Sequence, residues 1–228
     1  MKITPAGLAG LIDHTLLKAE ATYEQISTLC REAAEYGFKA VCLNPCFVTF
    51  ACRELIDTPV VVCSVIGFPL GAAETRIKAA EAVLAVSSGA GEVDVVMNIG
   101  YLKSGMLRET GEDLSTVVNL VKQENPGAIV KVIIETCLLT QEEKKTACRL
   151  VAEAGSDFIK TSTGFSLSGA KRSDVWLLRQ AVGPDLGVKA SGGIRTLDAG
   201  LAMLEAGANR LGVSAGVSII DELRRREF

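Results

Sequence analysis

The sequence predicts one α/β domain over residues 1–228, built as a closed (β/α)8 barrel, and three observations carry that expectation. First, helix-like segments repeatedly end on a glycine and pass straight into a short apolar run. Tyr36-Gly37 leads into Phe38–Cys42, Ala90-Gly91 into Glu92–Val96, Gly155 into Ser156–Lys160, and Gly207 into Ala208–Gly212. Glycine just past a helix is the usual C-terminal cap, because it enters the left-handed region without a Cβ penalty. Second, the runs that follow are strand-length and apolar-rich, as in parallel strands covered on both faces. Third, eight such runs divide the 228 residues into units of about 28, enough for one strand and one helix each. An open doubly wound sheet is the alternative, and the lack of Gly-x-Gly-x-x-Gly after the first strand counts against it.

In chain order the predicted strands cover residues 11–15, 38–43, 60–66, 92–97, 129–135, 157–161, 187–190 and 209–213. The first is the least obvious. Helical patterns fill the gaps, as at Ala73–Val86 and Gln141–Ala154, and no linker-like or low-complexity stretch interrupts them. In a TIM barrel of this kind the active site lies where strands end and βα loops begin. The loops leaving strands six, seven and eight carry Gly164, Gly192-Gly193 and Ser214-Ala215-Gly216. Each glycine alone could be a simple turn residue. Together, small residues before helix N-termini let backbone N–H groups approach an anion, and barrels often bind phosphate after strands seven and eight.

Composition narrows the function classes. With 48% apolar and 22% charged residues, the chain suits one sizeable core. Net charge is −3, with no basic stripe interleaved with aromatics, which disfavours nucleic-acid binding. A locally positive site for an anionic small molecule remains compatible with an acidic protein. Met1–Pro5 starts no apolar leader segment, and no run of 18 uninterrupted apolar residues occurs, so a cytoplasmic protein with no membrane span is expected. The seven cysteines are odd in number and include no Cys-x-x-Cys, which reads as reduced thiols. With His14 the only histidine, no metal site is expected. A homodimer is the prior expectation, because symmetric dimers are the commonest oligomers.

Two lysines sit in apolar strands that run into small polar turns: Lys160 in Asp157–Gly164 and Lys189 in Gly187–Ile194. Lysine is rarely buried unpaired. Taken singly, each reads equally as an ion-pair member inside the barrel. Asp94, flanked by Val93 and Val95, reads as a buried salt-bridge partner or as a proton shuttle. The three in one barrel change the balance, because Schiff-base chemistry needs an amine, a cation that helps keep that amine neutral, and a proton carrier. A free lysine, with a pKa of about 10.4, is neutral in only about one molecule in 2,500 at pH 7, so burial and a neighbouring cation have to supply the difference.

The chain resembles the deoxyribose-phosphate aldolase family in eight motifs that fall in order, one per strand. They are Leu11–Lys18, Val41–Pro45, Val65–Gly71, Glu92–Asn98, Lys131–Thr136, Phe158–Phe165, Val188–Arg195 and Arg210–Ser214. The resemblance implies a metal-independent class I aldolase that reversibly cleaves 2-deoxy-D-ribose 5-phosphate to acetaldehyde and D-glyceraldehyde 3-phosphate. It needs no cofactor beyond a covalent Schiff base on Lys160. By motif match, Lys189 keeps Lys160 nucleophilic and Asp94 is the acid/base group working through a water. Gly164, Gly192, Gly193 and Ser214 match the phosphate site. Asp13 is expected to pair with Lys189, and Thr15 to hydrogen-bond a substrate hydroxyl; barrel-end packing and capping is the other reading of both.

Further expectations concern the surroundings. Lys131 and Glu135 share a strand face with Ile133, so a buried charge network with Glu92 is expected as structural support. Arg195 reads as an ion-pair residue, with a direct phosphate ligand as the other reading, Cys42 as a bystander near the site, and His14 as outside the chemistry. Two departures stand out. Some members of the family end in a tail whose tyrosine assists proton transfer, whereas this chain ends Arg224-Arg225-Arg226-Glu227-Phe228. Ala215 stands where some members have a second serine. Rival readings are another Schiff-base aldolase or transaldolase, separable by cleavage assays, and a non-catalytic phosphosugar sensor, which would not need both lysines and Asp94.

Overall fold

Eight strands close into one parallel barrel in sequence order: β1 (Ile12–Leu16), β2 (Ala40–Leu43), β3 (Val61–Ile66), β4 (Glu92–Val96), β5 (Ile129–Ile133), β6 (Phe158–Lys160), β7 (Gly187–Ser191) and β8 (Arg210–Val213). β8 returns to pair with β1, with Leu211 opposite Ile12 and Gly212 opposite Asp13. The computed structural model describes residues 3–226; Met1-Lys2 and Glu227-Phe228, on which the leader and tail readings partly rest, lie outside the described residues. Each strand lies within two residues of its predicted bounds.

Ten helices surround the barrel among the described residues: α1 (Pro5–Ala9), α2 (Tyr23–Tyr36), α3 (Val48–Glu54), α4 (Thr75–Ser87), α5 (Ile99–Lys103), α6 (Leu107–Glu124), α7 (Gln141–Glu153), α8 (Arg172–Val182), α9 (Leu197–Glu205) and α10 (Gly216–Arg226). Their ends follow local chemistry. The Thr22 and Thr140 side chains each accept the N–H three residues on, while Gln25 and Glu143 reach back to the cap N–H, closing two capping boxes. Gly37 ends α2 at φ 71°, as the glycine rule predicts. No helix of the described residues is long and apolar enough to cross a membrane.

Alternation along the strands separates two interiors. Outward residues such as Ile12, Val41, Val93, Val132, Ile159, Val188 and Leu211 are fully buried under the helices. Each such side chain stabilises the fold by about 1.5–3 kcal/mol. Inside the barrel, the β2–β3 side is apolar, with Ala40, Cys42, Cys63 and Val65 clustered with Leu17, while β1 contributes the buried Asp13. The β4–β8 side carries Glu92, Asp94, Lys131, Lys160, Lys189 and Arg210, all buried. Two further buried ion pairs join neighbouring helices: Lys78 of α4 with Asp113 of α6, and Lys144 of α7 with Asp174 of α8, each at 2.6 Å.

Candidate active site

The barrel register sets the inward charges side by side. Lys160 of β6 lies opposite Lys189 of β7, Lys189 opposite Arg210 of β8, and Asp94 of β4 opposite Lys131 of β5. One oxygen of Asp94, Oδ2, accepts from Lys160 Nζ at 2.6 Å and from Lys189 Nζ at 2.7 Å. Its other oxygen accepts from Lys131 Nζ at 2.9 Å. Lys189 also reaches Asp13 Oδ2 at 2.5 Å, the pairing expected from the sequence. Arg210 then ties Asp13 (2.7 Å) to Glu92 (3.1 Å), and Lys131 meets Glu92 at 2.5 Å. Gly212 makes room for this: a Cβ there would lie 3.1 Å from Lys189 Cε and 3.0 Å from Ser191 Cβ.

The electrostatics follow from the contacts. Burial alone would raise the Asp94 carboxyl, but the ammonium groups of Lys131, Lys160 and Lys189 hold it well below the usual carboxylate range. Asp13 is lowered to about 2 against its own burial, by Lys189, Lys131 and Arg210. Burial opposes the charge on Lys189, yet Asp13 and Asp94 overcome it and push its pKa up. Lys131 is likewise held charged against burial, chiefly by Asp94. Counted as ions, the cluster sets four cations (Lys131, Lys160, Lys189, Arg210) against three carboxylates (Asp13, Glu92, Asp94). Its charges balance when one lysine is neutral. Lys160 has a single carboxylate partner within the cluster and is the one of the four that lines the cavity above.

That cavity, of about 460 Å³, opens at the C-terminal ends of the strands. Thr15, Gly164, Gly192, Gly193 and Ser214 all line it together with Lys160, so the structure brings the expected binding residues to one wall-lined space. Its basic lining residues are Lys18, Lys160 and Arg195, and no acidic residue lines it among the described residues. Gly164 (φ 87°) and Gly192 (φ 85°) touch backbone to backbone: a Cβ on Gly192 would lie 3.3 Å from Gly164 Cα. A side chain at 192 would press on Gly169 Cα at 2.9 Å and on Gly164, whereas a Cβ at 164 would make only ordinary contact with Gly192 Cα at 3.8 Å. Ser214 donates to the Thr15 carbonyl at 2.8 Å, and Thr15 donates to the Asp13 carbonyl at 2.8 Å, which leaves the lone pairs of both hydroxyls for incoming donors.

Several expectations are sharpened or corrected. Glu135 does not join the charge network. β5 ends at Ile133, and Glu135 turns into the left-handed region at φ 48°, which breaks the alternation that placed it beside Lys131. Arg195 forms no ion pair among the described residues; it is exposed and lines the cavity, because the glycine turn carries it over the barrel mouth rather than back onto a helix. His14 faces outward and meets Glu32 at 2.7 Å, away from the chemistry. Cys42 lies 3.8 Å from Asp94, and Cys63, whose thiol burial keeps protonated, lies 3.2 Å from it. These two thiols and Asp94 are the one grouping among the described residues spaced to hold a metal, but Asp94 already faces three ammonium groups, which repel a further cation.

Arg210 was not singled out, although the rule that exposed Lys160 would have found it, being a charged residue in the short β8 run Arg210-Leu211-Gly212-Val213. Its guanidinium also covers the Phe158 ring at 5.4 Å. Thr161 and Ser191 were missed as well. The Ser191 N–H donates to Thr161 Oγ1 (3.1 Å) and its hydroxyl to the Ser162 carbonyl (2.6 Å), fastening β6 to β7 beside the two lysines.

Comparison with known proteins agrees with this geometry. A family model described as DeoC/LacD family aldolase matches residues 8–221. The chain is 56% identical over 221 residues to the deoxyribose-phosphate aldolase of Carboxydothermus hydrogenoformans, covering 97% of each chain. It is 57% identical over 215 residues to that of a Thermoanaerobacter species, covering 94% of this chain and 96% of the relative. Among solved structures, the tetrameric deoxyribose phosphate aldolase of Aeropyrum pernix superposes with a TM-score of 0.90 at 36% identity, over 97% of this chain and 92% of that one. With its barrel, its lysine pair and these relatives taken together, the chain belongs to the DeoC/LacD family of aldolases.

Proposed function

We propose that this chain is a class I aldolase that reversibly cleaves 2-deoxy-D-ribose 5-phosphate to acetaldehyde and D-glyceraldehyde 3-phosphate. The observation that carries the reading is the shared oxygen: Asp94 Oδ2 bridges Lys160 and Lys189 at the floor of a cavity that Lys18 and Arg195 also line. Lys160 is the nucleophile, since it alone of the cluster opens onto that cavity. Lys189 and Lys131, both held charged, stand around the same carboxylate, and Lys189 is read as the second lysine that keeps Lys160 nucleophilic.

The neutral Lys160 nitrogen attacks C1 of the open-chain sugar. The proton on the new C–N nitrogen passes to Asp94, 2.6 Å away in the resting site, and on to the former carbonyl oxygen. That oxygen leaves as water after one further proton is taken up, giving an iminium. Removal of the C3 hydroxyl proton, relayed through a water, then breaks the C2–C3 bond. C3 becomes the aldehyde carbon of glyceraldehyde 3-phosphate, and the bonding electrons move through C2 into the iminium to form an enamine. Protonation at C2 and hydrolysis release acetaldehyde, the amine and the proton. Asp94 suits the relay because it faces one cation fewer while the Lys160 nitrogen is neutral, through attack and carbinolamine formation, and the iminium then restores that charge and returns it to the carboxylate form.

The phosphate end is assigned to Gly164, Gly192, Gly193 and Ser214, where the N-terminus of α10 adds favourable partial charge. Lys18 and Arg195 complement the anion from the rim. Thr15 accepts from a sugar hydroxyl, and Asp13 holds Lys189 in place. The reading needs no metal or other cofactor. It treats residues 1–228 as one catalytic domain, cytoplasmic and self-associating, a homodimer on the sequence prior. A coupled assay for glyceraldehyde 3-phosphate tests it: turnover is expected with deoxyribose 5-phosphate, and no turnover of this substrate rejects the assignment.

A further inference from the structure

Glu135 is unused by the mechanism above, yet the structure spends strain on it. It is the one non-glycine residue with positive φ among those described, at φ 48° and ψ 67°. Such backbone typically costs about 1–3 kcal/mol and persists where the surroundings fix it. Its carboxylate is 4% exposed and forms no ion pair among the described residues. Oε2 instead accepts both the backbone N–H of Thr163, at 3.2 Å, and the Thr163 hydroxyl in a very short bond. Thr163 Oγ1 in turn accepts the N–H of Phe165 at 3.1 Å. One carboxylate therefore fixes the backbone on both sides of Thr163-Gly164. Gly164 is the residue whose Cα abuts Gly192, and both line the cavity.

An anionic group this close to a wall assigned to a phosphate is electrostatically unfavourable for the ligand. Charge-assisted bonds are about twice as strong as neutral ones, so a carboxylate holds the turn more firmly than a neutral side chain could. We propose that Glu135 is a positioning residue for the phosphate end of the substrate: bound to Thr163, it locks the Thr163–Phe165 turn so that the Gly164–Gly192 wall is preformed before substrate arrives. This rests on the aldolase reading above. Glu135 touches no substrate, and its contribution lies in where it holds Gly164.

The test measures kcat and KM for 2-deoxyribose 5-phosphate and for unphosphorylated 2-deoxyribose in the wild type, Glu135→Gln, Glu135→Ala and Glu135→Asn, with Tm for each. Asparagine tolerates the left-handed backbone and keeps the test usable should the alanine variant not fold. A displaced wall is expected to cost Glu135→Ala about 100-fold in kcat/KM for the phosphorylated sugar, mostly in KM. The unphosphorylated sugar should stay within about threefold of wild type, and Glu135→Gln, which retains an acceptor, should recover about tenfold of the loss. Equal losses on both substrates, or no loss on either, overturn the proposal. A wild type that turns over neither sugar rejects the aldolase reading itself. A wild type indifferent to the phosphate rejects the phosphate site, and each of these is distinct from a phosphate-preferring enzyme in which Glu135 variants change nothing.

Discussion

Buried lysines occur in two regions of this molecule, and they differ in charge balance and access. Between the outer helices, Lys78 meets Asp113 and Lys144 meets Asp174, one cation to one carboxylate, and neither pair lines the cavity. Inside the barrel, four cations share three carboxylates, and one of them, Lys160, borders a cavity. Burial alone is thus no sign of chemistry. What sets Lys160 apart is a cluster with one cation more than its carboxylates and a place on the cavity wall, and the proposed reading rests on that difference.

The comparison breaks most sharply at Lys160. Lys160→Leu should reduce turnover by about 10⁴-fold or more, as expected for loss of a covalent nucleophile, while circular dichroism shows an intact barrel. Next, Lys189→Leu leaves three cations to three carboxylates, so the cluster balances with Lys160 still charged. Turnover at pH 7 should fall about 100-fold, and the acid limb of the pH–rate profile should move to higher pH by about one unit or more. An unmoved limb would count against the tuning role.

The outer pairs make the complementary test. Lys78→Met strands Asp113 in a buried site and should cost about 3–5 kcal/mol by denaturant unfolding. Activity of the folded protein should stay within about twofold. The smallest effect is in acid. Asp13 is held at about 2 by its cationic neighbours, whereas an unfolded aspartate titrates near 3.8. Its contribution to stability is therefore complete above about pH 4 and is lost as pH falls toward 2. Asp13→Asn should lose that part of the acid dependence, read as a flatter stability–pH curve below pH 4.

Much of this was legible in the sequence because barrels repeat. Each glycine-to-apolar transition marked a strand, and Lys160, Lys189 and Asp94 stood out as charges inside apolar runs, whereas Asp13, on the least obvious strand, entered only through the family resemblance. Arg210 obeyed the same rule and could have been found by applying it to β8. Lys78 and Lys144 could not, because a lysine on an amphipathic helix looks solvent-facing until its partner helix is placed. Glu135 was misassigned for a physical reason: alternation holds only while the backbone stays extended, and nothing in Ile134-Glu135-Thr136 announces a left-handed residue. Arg195 was misread because the direction of a loop after two glycines is not set by local sequence.

The central claim, that charge surplus and access single out one lysine among several buried ones, is tested most directly by reductive trapping. The wild-type protein is incubated with acetaldehyde and borohydride, and the adduct is located by peptide mass spectrometry. One ethyl group per chain on Lys160, with Lys131, Lys189, Lys78 and Lys144 unmodified, is the predicted result; an adduct on Lys189 or Lys131, or none on Lys160, would contradict it.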